Sequence, residues 1–351
     1  MLAVLTLIWL TAISGGEVRS AEQPPAGSPP GEERITVSYV SLRNRTGSSS
    51  AEDFYGGTRD KIRTGTCEVA FAPIWGLEDL AQSAPFYIPD EKSELGAIKE
   101  KSVVQFWSAF DAAGGEQGNI IVYIHGYKVD FGKSCRRAAI FQRALGLQDR
   151  LLLITWPADG NMLKYTWDEA DLVWSVPHIT RILKRVVQRF GQDRVNIVAH
   201  SLGARGAMQA LVNMACPRPA APLINELILL APDIDTDIFR QELSGFRQLV
   251  QRITVYVSEN DKALGLSQDV HGYPRLGQAG DHLAVFDSVE TIDLSDIGKR
   301  RFSGHLYHLF NPAIIADLTR LIHTGEAAGQ RPDLERSMHK GLPFWRMVPS
   351  E

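Results

Sequence analysis

Short apolar runs alternate with amphipathic segments from residue 119 to residue 322, and this alternation most constrains the fold. The apolar runs are rich in β-branched residues and predict strands that are covered on both faces. They span 119–124, 151–156, 195–199, 226–230 and 253–257, and 285–294 predicts a last strand. Helical spacing of apolar residues predicts helices over 134–145, 168–190, 202–214, 236–249 and 311–322. The alternation therefore predicts an α/β fold with a mostly parallel central sheet and helices on both faces.

The first twenty residues have the features of a targeting segment. Residues 2–13 are almost wholly apolar, which suits a signal-peptide core and is too short for a membrane span. Small residues follow, and Ser20–Ala21 is a plausible cleavage site. Residues 1–20 are thus expected to be a signal peptide, and the protein to be exported, periplasmic or secreted, in a bacterium. No Lys or Arg precedes the apolar run, so an uncleaved membrane anchor is the alternative.

The remaining chain divides by composition. Residues 21–54 are rich in Pro, Gly, Ser and Glu and predict a flexible linker, with strand character only over 35–42. Residues 55–325 are expected to form the single folded domain. Residues 326–351 are polar and predict a loosely packed tail.

Charge and cysteine content exclude several classes of partner. The 37 Lys and Arg residues nearly balance 41 Asp and Glu residues, and no long basic run predicts nucleic-acid binding. Cys67, Cys135 and Cys216 are too few and too scattered for a disulfide scaffold, and one at least must be unpaired. Neither a CxxC nor an HExxH motif occurs, so no metal or other cofactor is expected.

A serine lies between a predicted strand and a predicted helix. The residues from Ala199 to Gly203 fit the nucleophile-elbow pattern, with Ala in place of its first Gly. A sharp strand-to-helix turn exposes the hydroxyl of Ser201, and the helix N-terminus favours an anion beside it. The alternative is a serine that only caps the helix. The flanking strand and helix favour the nucleophile.

A serine nucleophile needs a base that follows it in this fold. His305 lies in a loop after the last predicted strand, where Gly304 permits a turn. His308 is the alternative base. His200, next to Ser201, is expected to serve packing instead.

The acid that orients the base is expected in a loop at the carboxyl end of a strand. Asp261 follows the strand over 253–257 and is favoured. Asp233 and Asp235 follow the preceding strand and are the alternative acids, although Asp235 could instead cap the next helix.

The turn after the first central strand predicts an oxyanion hole. Gly126 allows close approach of the backbone, so Tyr127 N–H is expected to face the nucleophile, with Leu202 N–H as the second donor. His125 is expected to hold this loop by hydrogen bonding. Trp156, Tyr165 and Trp167 are candidates for an apolar substrate pocket. The loop over 262–282 is expected to be an ordinary solvated loop, with a lid as the alternative.

Seven short motifs keep a characteristic order, and together they resemble the bacterial α/β-hydrolase family of unassigned function, which is grouped with esterase/lipase-like enzymes. They are Tyr55 to Arg59, His125 to Tyr127, Thr155 to Gly160, Ala199 to Gly203, Ala231 to Asp235, Ser258 to Asp261, and Gly304 with His305. The resemblance spans residues 55–325. It implies an α/β-hydrolase fold and a triad of Ser201, Asp261 and His305, but no substrate.

These observations predict a serine hydrolase that cleaves a carboxylic ester through an acyl-serine intermediate. Thioester or amide cleavage and acyl transfer would use the same groups. The expected partner is a small-molecule ester or a lipid-like substrate, with membrane contact only if the N-terminal segment is uncleaved. The competing hypothesis is a non-catalytic exported binding module on an α/β-hydrolase scaffold.

Overall fold

The computed structural model describes residues 33–71, 93–113, 118–147, 150–159, 165–297 and 305–348. The expected signal peptide and its cleavage site lie outside these ranges. Among the helices of the described ranges, none is both long and apolar enough to cross a bilayer.

Eleven strands of the described residues form one sheet. They are β1 Glu33–Arg45, β2 Tyr55–Phe71, β3 Ser93–Lys101, β4 Ile120–Ile124, β5 Arg150–Thr155, β6 Val195–His200, β7 Ile224–Leu230, β8 Val250–Val257, β9 Glu290–Asp293, β10 Leu334–His339 and β11 Leu342–Met347. Their order is β10-β11-β9-β8-β7-β6-β4-β5-β1-β2-β3. Neighbours from β11 through to β1 are parallel, and only the outer pairs are antiparallel. The predicted mostly parallel sheet is confirmed.

Seven α-helices occur in the same ranges. They are α1 Val103–Ala112, α2 Phe131–Ala144, α3 Tyr165–Phe190, α4 Leu202–Met214, α5 Thr236–Phe246, α6 Lys262–His271 and α7 Pro312–Thr324. The five helices predicted from apolar spacing are all present. The loop expected over 262–282 begins instead with α6, because the Asp261 side chain accepts hydrogen bonds from Ala263 N–H and Leu264 N–H and starts a helix.

The helices cover both faces of the sheet, as predicted. Alternate residues of the central strands enter two separate cores, so that Ile120 and Val122 face one side and Ile121 and Tyr123 the other. Helices α1, α3, α4 and α5 pack on the first face, and α2, α6 and α7 on the second. Two buried faces explain why the central strands are apolar throughout.

The expected linker and tail are both too long. Residues 33–45 form β1, which pairs with β5 and β2 inside the sheet, so the linker over 21–54 is wrong for this part. Residues 334–347 form a hairpin on the opposite edge of the sheet rather than a loose tail. The hairpin is polar because it lies at the sheet edge, where one side of a strand meets water. β1 instead directly follows a Pro- and Gly-rich stretch, so composition favours a linker there.

A disulfide joins the sheet to a helix beside it. Cys67 of β2 is bonded to Cys135 of α2, with Cα atoms 6.4 Å apart, while Cys216 is free and exposed. The prediction of at least one unpaired cysteine is confirmed. The disulfide anchors β2, one of the N-terminal strands of the sheet, to α2.

Candidate active site

Ser201 occupies a tight turn between β6 and α4. Its backbone is held at φ 53° and ψ −126°, a conformation that non-glycine residues rarely adopt. Ser201 N–H donates to Leu230 O at 3.0 Å, and Asp233 N–H donates to Ser201 O at 3.1 Å, so the end of β7 holds the turn. The Ser201 hydroxyl makes no capping hydrogen bond to α4. The helix-cap alternative is therefore wrong, because the side chain is directed elsewhere.

The hydroxyl instead contacts His305. Ser201 Oγ lies 2.9 Å from His305 Nε2, and His305 Nδ1 lies 2.8 Å from Asp261 Oδ2. A carboxylate can only accept, so Nδ1 carries the proton and Nε2 is free to accept from the serine. The structure thus brings together three residues that are separated by up to 104 positions in the sequence.

Asp261 is held rigidly for this contact. Its Oδ1 accepts from Ala263 N–H and Leu264 N–H at 3.0 and 3.1 Å, which leaves Oδ2 for His305. The Asp261 side chain is fully buried, while 18% of the His305 side chain is exposed. The acid is shielded from water and the histidine faces the solvent-accessible side of the site.

The two alternative acids have other partners. Asp233 Oδ1 accepts from Arg275 Nε at 2.8 Å and from Ser267 Oγ at 2.7 Å, within a buried network. Asp235 caps α5 by accepting from Asp237 N–H and Ile238 N–H. Both carboxylates are thus engaged away from His305.

Two neighbouring histidines support the His305 loop. His200 Nε2 donates to the carbonyl of His305 at 2.8 Å, and its ring lies between those of His305 and His308. His308 is fully buried, and its Nε2 lies 3.5 Å from the Tyr123 hydroxyl. His308 faces away from Ser201, so it is not the base.

Tyr307 gives the His305 loop a second anchor, because its hydroxyl accepts from Ala231 N–H and donates to Tyr256 O.

The surroundings shift the pKa values of these three imidazoles in different directions. Burial lowers the pKa of His200 and His308 well below its ordinary value, so both rings stay neutral. Burial also acts to lower the pKa of His305, but the charge and hydrogen bond of Asp261 outweigh it, and the pKa is raised. Of the three rings, His305 alone is stabilised as an imidazolium, which a general base becomes when it takes a proton.

The turn over 125–127 lies directly against the serine. A Cβ on Gly126 would come within 2.8 Å of Ser201 Cβ, and a Cβ on Gly203 within 2.2 Å of His125 O. Only glycine fits at either position. Tyr127, which follows Gly126, lines the cleft with Ser201, and Leu202 is the first residue of α4. Their N–H groups are therefore the candidate oxyanion donors.

A family comparison agrees with this arrangement. Residues 105–324 match the model of a family described as alpha/beta hydrolase of unknown function, DUF900. The chain belongs to this family. The match includes the elbow, Asp261, His305 and the turn over 125–127, and it confirms the resemblance stated from the seven motifs.

More distant likenesses are to solved esterases, and no curated protein matches the chain. An esterase from Pyrobaculum calidifontis is 11% identical with a TM-score of 0.37, over 84% of this chain and 85% of that one. An esterase from the bacterial hormone-sensitive lipase family is 12% identical with a TM-score of 0.34, over 74% and 80%. Such TM-scores are too low to support a conclusion about this alpha/beta hydrolase.

A cleft of about 1070 Å³ opens above Ser201. Tyr165, one of the three pocket candidates, lines it, and its hydroxyl donates to Asp233. Trp156 does not line it: the side chain is fully buried, and its indole stacks on His125 and donates to His125 O at 2.8 Å. Trp167 is 62% exposed and also lies outside the cleft lining. The pocket prediction is therefore wrong for both tryptophans, because their orientation depends on the turn that follows β5.

Two charged residues that sequence reasoning missed hold the turn over 125–129. Arg43 of β1 is buried and donates to Val129 O at 2.5 Å and Ala158 O at 2.9 Å, and it contacts His125 Nε2 at 3.4 Å. Burial lowers the pKa of Arg43 to about 10, so the group stays charged near neutrality. Asp168 accepts from Lys128 N–H at 3.1 Å and Asp159 N–H at 2.9 Å. A lone Arg in a polar segment carries no sequence signal for such a role.

His125 holds the turn in the way that was predicted. Its Nδ1 lies 2.8 Å from Gly126 O, and its Nε2 accepts from Trp156 N–H at 3.2 Å. No group of three or more His, Cys, Asp or Glu in the described ranges is arranged to hold a metal ion.

Proposed function

We propose that this alpha/beta hydrolase is a serine esterase that cleaves a carboxylic ester through an acyl-Ser201 intermediate. One observation carries the proposal: an unbroken hydrogen-bonded chain links Ser201, His305 and Asp261, at 2.9 and 2.8 Å, at the floor of the cleft. A serine hydroxyl is a weak nucleophile until a neighbouring base accepts its proton. The contacts supply that base and hold it in the required tautomer.

In the first half of the reaction, Ser201 Oγ attacks the ester carbonyl carbon while His305 Nε2 takes the hydroxyl proton. Negative charge gathers on the carbonyl oxygen, and the N–H groups of Tyr127 and Leu202 stabilise it. The C–O bond to the alcohol then breaks, and His305 returns the proton to the leaving oxygen. Asp261 stabilises the imidazolium that forms in between, and its burial strengthens this interaction.

In the second half, water replaces the alcohol. His305 takes a proton from water, the hydroxyl attacks the acyl carbon, and the Ser201–acyl bond breaks with return of the proton to Oγ. The products are a carboxylic acid and free enzyme, so no external oxidant, reductant or cofactor is required. Thioesters would follow the same route, and a bound alcohol in place of water would give acyl transfer.

The test is turnover of short 4-nitrophenyl esters by the full chain, together with labelling by a fluorophosphonate. Wild type should hydrolyse the esters and take up one label, while Ser201→Ala should do neither. Ser175→Ala is the matched control, because the hydroxyl of this buried serine of α3 donates to Asp171 O and lies outside the cleft lining. A folded wild type that neither labels nor turns over esters would favour the binding-module alternative.

We also propose that the protein is exported to an oxidising compartment. The Cys67–Cys135 disulfide supports this location, because such bonds persist in the periplasm or outside the cell and are rare in the cytosol. The expected signal peptide over 1–20 agrees with it. Sequencing the mature N-terminus after expression would distinguish cleavage after Ser20 from a retained membrane anchor.

A further inference from the structure

The cleft above Ser201 has one apolar wall. Helix α6 provides it through Leu264, Leu266 and Val270, and Leu266 and Val270 are each 59% exposed. Residues 266 and 270 are four apart, so they share one face of the helix. This face points into the cleft, where an apolar part of a substrate would cover it.

Much of the remaining cleft lining is basic. Five cationic residues line the cleft, and they come from the turn over 125–129, from α2 and from the first residue of α6. They are Lys128, Lys133, Arg136, Arg137 and Lys262. Within the described lining they outnumber the acidic residues Glu52, Glu94 and Asp233.

Two of those three acids are paired with cations, one of which, Arg136, is itself among the five. Glu52 is paired with Arg136 at 2.5 Å. Asp233 is paired at 2.8 Å with Arg275, which is buried beneath the cleft wall. Lys133 Nζ lies 3.3 Å from Asp130, but both side chains are more than a third exposed, and such a pair is weak. Even with Arg136 and Glu52 set aside as a pair, the described lining therefore holds more cationic than acidic side chains.

The charge of Arg137 reaches His305 and the two histidines beside it. Burial is the main cause that lowers the pKa of His308, and the charge of Arg137 is the next. Arg137 acts in the same direction on His200 and His305. A cation whose field is felt at these rings is also felt by a substrate bound above Ser201.

We propose that the substrate is an amphiphilic ester that carries a carboxylate or phosphate group. Its apolar part lies against α6, and its anionic group lies against the α2 side, between Lys133 and Arg137. A cleft with low-dielectric walls focuses the field of such cations and raises the local concentration of anionic substrate. This inference rests on the proposed ester hydrolysis and specifies its substrate class.

The test compares matched anionic and neutral esters at low and high salt. One pair is mono-4-nitrophenyl glutarate and its methyl ester, with the charge on the acyl side. The other pair is 4-acetoxybenzoate and its methyl ester, with the charge on the alcohol side. In at least one pair, kcat/KM should favour the anion by about tenfold at low salt, and high salt should reduce this ratio toward one.

Variants assign the effect to the α2 side of the cleft. Lys133→Gln combined with Arg137→Gln should reduce the anionic-to-neutral ratio to near one, mainly through KM, and Lys133→Glu should push it lower still. Arg143→Gln is the matched control on the same helix, because Arg143 pairs with Glu33 and lies outside the cleft lining. It should leave the ratio at the wild-type value, and circular dichroism should show that all variants fold.

The outcomes separate the two proposals. Labelling of Ser201 with turnover of both neutral esters, at ratios near one in every salt, would overturn the anionic substrate and leave the esterase standing. A ratio that is high but unchanged by the α2 variants would overturn the assigned position of the anion. Absence of labelling and of all turnover would overturn the esterase, and the substrate class with it.

Discussion

Two of the places where the molecule holds buried charge along its sheet are built differently. At the carboxyl ends of β6 and β8, Asp261 and His305 lead to Ser201 and then to an open cleft. Toward the beginning of β7, β8 and β9, a second group joins the sheet to α7 and to the segment after it. We refer to its members, Glu226, Arg252, Glu290, Asp317 and Arg331, as the basal charge cluster.

In the basal charge cluster the charges are paired with one another. Arg331 is fully buried and lies 2.7 Å from Asp317 and 3.2 Å from Glu290. Arg252 lies 3.3 Å from Glu226 and 3.8 Å from Glu290. The cluster ties the segment after α7 to the sheet, and none of its members lines the cleft.

The difference shows which buried charges indicate chemistry. Both regions contain buried carboxylates with cationic partners, so burial and pairing alone do not mark an active site. At the carboxyl edge the chain of contacts ends on a hydroxyl that faces a cleft, and the cation is a titratable histidine. In the basal charge cluster the cations are arginines, which stay charged and cannot transfer a proton at neutral pH.

Removing the nucleophile should have the largest effect. Ser201→Ala should lower kcat for a 4-nitrophenyl ester by about 10⁶-fold, because attack on the carbonyl carbon is lost while binding remains. The melting temperature should stay close to that of wild type, because Ala keeps the Cβ and the hydrogen bonds that hold the turn come from the backbone of residue 201. Steady-state kinetics and thermal denaturation measure the two effects. A loss below about tenfold would contradict the proposed role.

Changing the acid should have the next largest effect. Asp261→Asn should lower kcat by about 10⁴-fold, because an amide can donate to Nδ1 and stabilise the wrong tautomer of His305. Activity requires neutral His305, so it falls as pH drops through the raised pKa of this group. Without the Asp261 charge that pKa falls, and the acidic limb of the residual kcat/KM profile should move to lower pH. An unmoved limb would show that Asp261 does not control His305.

Breaking the basal charge cluster should affect stability instead of chemistry. Arg331→Ala should lower the free energy of unfolding by about 3–5 kcal/mol, because it leaves the buried Asp317 without its cation and Glu290 with Arg252 alone, at 3.8 Å. Urea denaturation measures this change. Arg346→Ala is the matched control, since its pair with Asp296 is exposed and should cost less than about 1 kcal/mol. Equal costs for both variants would contradict the distinction between them.

The smallest effect is expected from Glu226, and it depends on pH. Burial raises the pKa of Glu226 to about 7, although the charge of Arg252 opposes this. Between the ordinary value of 4.5 and about 7, the folded protein holds a proton that the unfolded chain has released, so stability falls as pH rises. Glu226→Gln cannot titrate and should lack this part of the decline, gaining about 1–3 kcal/mol relative to wild type across the window. A difference in unfolding free energy between Glu226→Gln and wild type that stays the same at every pH would contradict the raised pKa of Glu226.

The central strands of the sheet could be predicted from the sequence, but the outer strands could not. Strands such as β4 and β7 are covered on both faces, so their residues form unbroken apolar runs. β2 and β10 carry several charged residues because one side of each strand meets solvent, and neither strand is apolar throughout. β1 lies inside the sheet but follows a Pro- and Gly-rich stretch, so composition pointed to a linker.

The candidate site divides in a similar way. The elbow motif around Ser201 is local, so the five residues and their flanking elements suffice to predict it. The contact between His305 and Asp261 spans 44 residues, and it was predictable only from the fold. The positions of Arg43 and Trp156 depend on long-range packing that no local pattern encodes. His200 carries a signal only because it adjoins the serine, and its bond to the His305 carbonyl was not foreseen.

The most direct test of the central claim is peptide mapping after fluorophosphonate treatment of the full chain. A single phosphonate adduct on the peptide containing Ser201 is predicted for wild type. The same treatment of a folded His305→Ala variant should give little or no adduct at equal times, because the hydroxyl is no longer activated. An unmodified Ser201 peptide in folded wild type, or equal modification in the variant, would contradict the claim that His305 activates Ser201.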